Sequence, residues 1–449
     1  MLDFCLHLHL YFYNPEFIYF RNMKANIAHS EKKRIVIAGG GLGGLELAFR
    51  LLDSEYQVVL VDRNNYHQFP PLIYQVASAG LEPSSISFPF RRLFQGKKDF
   101  FFRMANVERV IPEENALKTS VGTIHYDYLV FAAGATTNFF GNENIEKNTL
   151  PMKTVAEGMR LRNTILEHLE LAETEEDEAK RQALLNIVIV GGGASGVEIA
   201  GAMAEMKKKV IPRDYPDLDS SKMNIYLVNA DDRLLKAMDL KSSTRAEEDL
   251  TAMGVNIIGN KFAVDFQDDE LILKDGTRIP SKTVIWVSGI RANMFEGFAD
   301  ESIGRAGRLI TDRYSKVRGY ENIFCIGDQA IVEGDAEYPM GHPQLAQVAM
   351  QQAKTLAGNL KNHFREKELM AFKYRNLGTM ATIGRKCAVA EIGGQKFGGL
   401  SAWILWLVVH LRSILGVKNK AVILLNWMWN YFNYRQSLRL ILRASVRKE

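Results

Sequence analysis

An α/β fold built from two parallel-sheet modules is what this sequence predicts, and three observations carry the prediction. The segment RIVIAGGGLGGLELAFRLL, residues 34–52, runs from a buried-strand stretch through clustered glycines into a helical pattern. A second segment, NIVIVGGGASGVEIAGAMAEM at 186–206, repeats that order. Each copy leads on to a buried strand ending in a small-residue turn, YLVFAAGA and TVIWVSGI, at similar intervals: 95 residues from Gly39 to Gly134 and 98 from Gly191 to Gly289. Similar spacings in one order read as a duplicated module.

In the first copy the strand Ile35 to Ala38 is followed by Gly39, Gly41 and Gly44 in GxGxxG spacing, then by a helix with Leu45, Ala48 and Leu52 on one face. The next strand, VVLVD, ends in Asp62. Glycine-rich turns also join strands to helices for packing alone; here the strand, the helix and the terminal acid all surround the motif in the order a dinucleotide site requires. Glycine lets the backbone approach a pyrophosphate, the helix N-terminus offers unpaired N–H groups, and the acid takes ribose hydroxyls. The second copy supplies Gly191, Gly193 and Gly196, so two Rossmann-like modules imply two dinucleotides. A third strand, NIFCIGD, delivers Gly327 and Asp328 to a strand end where ligands of open α/β sheets gather, although Asp328 equally suits an N-cap.

With 449 residues the chain is too long for one core, and roughly 100–200 residues per domain suggests about three. Composition is ordinary for a globular protein, 47% hydrophobic and 24% charged, with a net charge of +4. The charge is uneven: from Leu400 onward eight Lys or Arg face one acid, which points to an anionic partner for the tail. Cys5, Cys325 and Cys387 form no CxxC or CxxxxC spacing, which argues for a reducing compartment and against a disulfide framework or a metal site. The N-terminal stretch MLDFCLHLHLYFYNPEFIYF lacks a basic leader and a cleavage site and is too interrupted to span a bilayer; residues 1–30 read as an extension, with Met23 a plausible start.

The chain resembles the two-dinucleotide-domain flavoproteins and, more narrowly, the type II NADH:quinone oxidoreductases, non-pumping respiratory dehydrogenases. The resemblance runs from about Arg34 onward and is carried by NNYHQFPPLIYQVASAGL, YDYLVFAAGA, GASGVE, FCIGD, LAQVAMQQA, LGTMATIGR and AWILWLVVHL with LLNWMWNYF. It implies FAD in the first module, at Gly39, Gly41, Gly43, Gly44, Asp62, Ala133, Gly134 and Asp328, and NADH in the second, at Gly191, Gly193, Ser195, Gly196 and Gly289. Glu198 matches the family's acid near the nicotinamide and flavin rings; a first-turn Glu is also favoured by the helix dipole alone. Where the second module should end its second strand in an acid, the sequence places Asn229. Asn does not repel a 2′-phosphate, so NADH is expected to be preferred with NADPH still used; Asp231 and Asp232 add negative potential and Arg233 opposes them.

Disulfide reductases of this architecture use a cysteine pair, which this sequence lacks, so the acceptor must bring its own redox chemistry. In LAQVAMQQA, Gln347 and Gln351 are spaced i, i+4 on one helix face beside Ala346 and Met350. Two Gln on a helix are more often a solvated face; the resemblance to a quinone signature assigns Gln347 toward flavin and Gln351 toward a membrane quinone. The tail explains how such an acceptor is reached. AWILWLVVHL is apolar for only about ten residues, short of the roughly 20 needed to cross a bilayer. Four of the five Trp lie after Leu400 (Trp403, Trp406, Trp427, Trp429), and Arg435, Arg439, Arg443 and Arg447 recur every four residues opposite Leu438, Ile441 and Leu442, the pattern of a basic amphipathic helix lying on anionic lipid. A dimer interface or a cover for the core are the competing uses of that aromatic face.

The expected architecture is therefore α/β: two Rossmann-like, FAD- and NAD(P)-binding domains with β-meander insertions plus a C-terminal amphipathic-helix membrane-docking region. The expected partition is residues 31–145 with 290–365 for FAD, 146–289 for NAD(P)H and 366–449 for the membrane-associated region. The expected protein is a peripheral enzyme on the cytoplasmic face of the cell (inner) membrane that docks through residues 400–449 and binds no nucleic acid, with a homodimer left open. An NAD(P)H reductase of a soluble acceptor, and a silent redox sensor whose basic tail grips nucleic acid, are the alternatives.

Overall fold

The computed structural model describes residues 25–432 and 439–441. The N-terminal extension up to Lys24, and Arg435, Leu438, Leu442, Arg443 and Arg447 of the tail, lie outside the described residues. By its contacts the chain divides into two compact units. The first takes the described part of Met1–His67, with Phe88–Thr136 and Arg291–Asn376; the second takes Gln68–Ser87, Thr137–Ile290 and the described part of Leu377–Glu449.

The first unit is organised by a five-stranded sheet in the spatial order Ile323–Cys325, Tyr128–Phe131, Lys33–Ala38, Tyr56–Asp62, Phe100–Met104. All its neighbours pair in parallel. Parallel strands are buried on both faces, which is why Ile35 to Ala38 and Val58 to Val61 read as unbroken apolar runs. The helix Leu42–Leu51 buries Leu45, Leu47, Ala48 and Leu51 and packs against the helix Ala346–Phe364. Their approach is close at Gly43, where an added Cβ would lie 3.3 Å from the Ala349 Cβ.

The second unit repeats the plan. Its sheet runs Leu150–Pro151, Thr283–Trp286, Asn186–Val190, Asn224–Val228, Val255–Ile258, again parallel throughout, with the strand that feeds the glycine loop in the middle. Each unit also carries an antiparallel three-stranded meander, Val107–Ile111 to Gly122–His125 in the first and Ala263–Gln267 to Arg278–Pro280 in the second, as expected.

The second unit draws in two further pieces of chain. The short helix Ile73–Ala77 packs on the helix Val155–Thr174, where Gly158 leaves room for Ile73. The strand Thr379–Gly384, first of an antiparallel meander, lies against the helix Ala194–Lys209. That contact is backbone on backbone: a Cβ at Gly201 would fall 1.6 Å from the Ile383 carbonyl oxygen.

The helices Gly399–Ser413 and Val417–Phe432 follow. Among the described residues no helix is long and apolar enough to cross a membrane. Residues 439–441 are not helical, and Arg439 forms an ion pair with Asp214. The basic amphipathic helix expected to include Arg439 and Ile441 is therefore not found at those residues.

Gly201→Val should destabilise the second unit by about 3 kcal/mol or more, since overpacking against backbone cannot be relieved by a rotamer change. Denaturant unfolding checks this, and an unchanged midpoint would contradict the contact.

Candidate functional site

In the first unit the chain turns from strand to helix within four residues. Gly39 adopts φ +107°, and a Cβ at Gly44 would lie 1.9 Å from the Gly39 carbonyl oxygen, so neither position tolerates a side chain. Gly41 is the N-cap of the helix, with no side-chain cap and no heavy atom closer than 3.9 Å to its Cβ position. The uncapped N–H groups and this open approach fit a pyrophosphate. Asp62 ends the next strand; its Oδ2 accepts from the Gly40 N–H at 2.7 Å and its Oδ1 from the Asn64 N–H at 2.7 Å. Burial raises its carboxyl above the usual range, while those two N–H groups oppose the shift. Each carboxylate oxygen retains a lone pair for a further donor, so Asp62 can also take a ribose hydroxyl.

Ala133 and Gly134 sit at the end of the adjacent strand and are pinned by groups that the sequence reading missed. Gln329 Oε1 accepts from the Ala133 N–H at 2.6 Å, and Asn293 Nδ2 donates to the Ala133 carbonyl at 2.7 Å. Gln352 Oε1 accepts from the Gly327 N–H at 2.6 Å, and Gln344 Nε2 donates to the Asp328 carbonyl at 2.9 Å. Gln352 belongs to LAQVAMQQA, but no motif signals Gln329, Asn293 or Gln344; all four act because backbone polar groups just past a strand end need partners. Gln347 opens the helix Ala346–Phe364, where it is half-buried. Gln351, one turn on, brackets the backbone of Arg375, donating to its carbonyl at 2.9 Å and accepting from its N–H at 3.0 Å.

The second unit has the same opening. Gly191 has φ +120°, a Cβ at Gly196 would lie 1.8 Å from the Gly191 carbonyl oxygen, and Gly193 is an uncapped N-cap with nothing near its Cβ position. Ser195 is exposed in the first turn. Gly289, at φ +82°, lies exposed in the small-residue turn after Thr283–Trp286, where an added Cβ would fall 2.9 Å from the Phe140 ring. Asn229 is buried at the end of its strand, its Oδ1 accepting from the Gly192 N–H at 3.1 Å.

Glu198 lies one turn further along the second glycine-loop helix and lines a cavity of about 120 Å³ within this unit, together with Tyr74, Gln75, Glu205, Arg385, Trp406 and Trp427. The side chain is half-buried at the cavity wall, and burial pushes its carboxyl up to about 8; the Thr382 backbone N–H pulls the other way. The Trp406 indole pulls less still, its buried N–H having no partner at hydrogen-bond distance. Glu205, about two helical turns on, is also raised by burial, against the Arg385 N–H that it accepts at 2.5 Å. Gln75 ties the tail to this cavity: Trp427 Nε1 donates to its Oε1 at 3.0 Å, and its Nε2 donates to the Tyr74 hydroxyl at 2.8 Å.

The four tail tryptophans thus do not share one environment. Trp406 is 1% exposed and stacks on His410 at 4.1 Å, Trp427 is bonded to Gln75, Trp403 is half-buried, and the Trp429 side chain lies outside the described residues. His410 is held down to about 4 by burial, so it is a neutral core residue and no charge at all at physiological pH. The outward face is instead aliphatic: Leu400, Ile404 and Val408 at i, i+4 and i+8, then Leu425 and Met428, are each half exposed or more.

Neither described thiol is poised for redox work. Burial raises Cys325 far above the usual thiol range, and burial with the Asp249 carboxylate at 2.8 Å pushes Cys387 up to about 12.

Because Glu198 holds its proton more tightly in the fold than a free carboxyl, it favours the native state below about 4.5 and that advantage is lost as pH rises to about 8. Glu198→Gln should therefore gain stability on the parent through that window, with a limiting slope of about 1.4 kcal/mol per pH unit. Urea unfolding of both proteins at several pH values tests it; parallel curves would show that the carboxyl is not shifted.

Comparison with known proteins agrees with this geometry. A family model described as pyridine nucleotide-disulphide oxidoreductase matches residues 33–353, and one described as NDH2 C-terminal domain matches 376–436. The type II NADH:quinone oxidoreductase Ndh of Mycobacterium tuberculosis is 33% identical over 420 residues, covering 90% of this chain and 89% of that protein. The Haemophilus influenzae type II NADH:quinone oxidoreductase is 30% identical over 397 residues, covering 82% and 88%. A structure of NDH2 from Plasmodium falciparum in complex with NADH superposes with a TM-score of 0.83 at 19% identity, over 92% of this chain and 100% of that one. A first model that spans both glycine-loop modules, a second that covers the C-terminal segment, and relatives alike over nearly their whole length place the chain in the type II NADH:quinone oxidoreductase family.

Proposed function

We propose that this protein oxidises NADH and reduces a quinone, NADH + H⁺ + quinone giving NAD⁺ + quinol, at the surface of a membrane and without pumping protons. The observation that carries the reading is the pair of uncapped glycine-loop helix N-termini, each following the central strand of a parallel five-stranded sheet, in a chain whose full-length relatives are NADH:quinone oxidoreductases. FAD supplies, when bound, an isoalloxazine ring that can accept a hydride and give up two electrons. Gly39, Gly41, Gly43 and Gly44 hold its pyrophosphate, Asp62 its ribose, and Ala133, Gly134 and Asp328 line the remaining strand ends. Gly191, Gly193, Ser195, Gly196 and Gly289 serve NADH in the second unit. One proton per turnover must come from solution, and Glu198, protonated at neutral pH beside a cavity, is suited to hold it. Gln347 orients the acceptor toward the flavin edge; Gln351 does so too, through whatever hydrogen-bonding capacity the Arg375 backbone leaves it.

The exposed aliphatic face of the two tail helices, flanked by Arg412, Lys418 and Lys420, supports peripheral docking on anionic lipid; the side of the cell membrane we assign to it, the cytoplasmic one, is part of the proposal. Tail truncation is a poor test because it would remove the buried Trp406, Ile414 and Ile423. Replacing Ile404, Val408 and Leu425 by Glu should instead abolish sedimentation with anionic vesicles while sparing reduction of the bound flavin by NADH. Retained vesicle binding would exclude this face.

Rapid mixing with NADH, followed by a quinone, tests both half-reactions. In Gln347→Leu, flavin reduction should persist and reoxidation by quinone should slow by about tenfold or more, the loss of one well-placed hydrogen bond or slightly over. Unchanged reoxidation would remove Gln347 from the acceptor site.

A further inference from the structure

Asn229 occupies the position where an acid ordinarily takes the adenosine ribose, yet its amide is committed to the protein. Its Oδ1 accepts from the Gly192 N–H at 3.1 Å, and its Nδ2 donates to the carbonyls of Asp231 at 3.1 Å and Arg233 at 3.0 Å. The side chain is 6% exposed and has no N–H left to offer a ligand. The first module shows why the two positions differ. Asp62 makes the equivalent bond to Gly40, but its other oxygen meets the Asn64 N–H, whereas the turn after Asn229 presents two carbonyl oxygens. A carboxylate at 229 would face both without a proton between them, so this turn requires an amide.

The charge that an adenosine 2′-phosphate would meet therefore comes from the loop that follows. Its acids are Asp231 and Asp232, and its cations are Arg233 and Lys236. Arg233 turns its guanidinium onto the carbonyls of Met238 and Lys236, at 2.8 and 2.9 Å. The Lys236 ammonium lies 2.5 Å from Asp231 and 4.0 Å from Asp232, with all three side chains well exposed. Two acids and two cations leave the loop neutral.

We propose that Lys236 is a specificity-determining residue: by pairing with Asp231 and Asp232 it cancels the repulsion that this loop would otherwise present to a 2′-phosphate, so that the second module admits NADPH beside NADH. The inference rests on the assignment of the second module to the nicotinamide nucleotide. It makes selectivity a property of a surface ion cluster, and hence sensitive to salt.

Anaerobic calorimetric titration of the holoenzyme, its flavin reduced beforehand so that it can take no hydride, with NADH and with NADPH tests it independently of turnover. At low ionic strength Lys236→Gln should weaken NADPH binding by about tenfold and NADH binding by less than about twofold, since a nearly dianionic phosphate at roughly 6 Å in a water-like dielectric feels one unbalanced charge by about that factor. Asp231→Asn should shift the ratio the opposite way, and both shifts should shrink as salt is raised. If the parent binds NADH but the NADPH to NADH ratio stays the same in both variants, the proposal is overturned while the module assignment stands. If the parent binds neither nucleotide, the assignment falls and the proposal with it.

Discussion

The architecture depends on a contact that exists only because a side chain is missing. In both modules the last glycine of the motif packs its Cα against the carbonyl of the first, at a distance that any Cβ would close to under 2 Å. This lets the helix begin directly above the end of the central strand, with its first N–H groups aimed outward and uncapped. A longer or bulkier turn would displace the helix and bury or cap those donors. The same local constraint, met twice, places both openings at the carboxyl end of a central parallel strand.

Duplication makes the divergence between the copies informative. Glu46 and Glu198 hold the same place in their motifs, two residues after the last glycine. Glu46 meets Arg50 one turn on, at 2.6 Å, in a partly solvated pair on the helix surface. Glu198 has no such cation and faces a cavity walled by aromatic side chains, which is what raises its carboxyl toward neutrality. Asp62 and Asn229 diverge for a different reason, the polarity of the backbone that each must satisfy. One scaffold thus holds a surface ion pair in the first copy and a protonated acid in the second, because what packs over the shared helix differs.

The tail combines two jobs that its composition does not separate. Trp406 and His410 stack in the core of the second unit, and Trp427 joins Gln75 and Tyr74 at the wall of the Glu198 cavity. The aliphatic residues between them point outward. The Trp427 N–H reaches a protein partner in Gln75, whereas Leu, Ile and Val carry no polar edge that needs one.

Sequence alone determined the two modules, their order, their meanders and the glycine, Asp62 and Asn229 positions, because these follow from short-range patterns: apolar runs, turn glycines and a polar residue at a strand end. Tertiary structure decided what those residues do once placed. Whether Asn229 faces a ligand or its own turn, whether Trp406 meets lipid or His410, and which amides among Gln329, Gln344, Gln351 and Gln352 hold the strand ends all depend on segments distant in the chain. The periodicity of Arg435 to Arg447 suggested one continuous helix, but residues 439–441 are not helical, and Arg439 pairs with Asp214, an acid more than two hundred residues earlier. Local order is written in spacing, whereas the environment of a side chain is set by which other parts of the chain come to surround it.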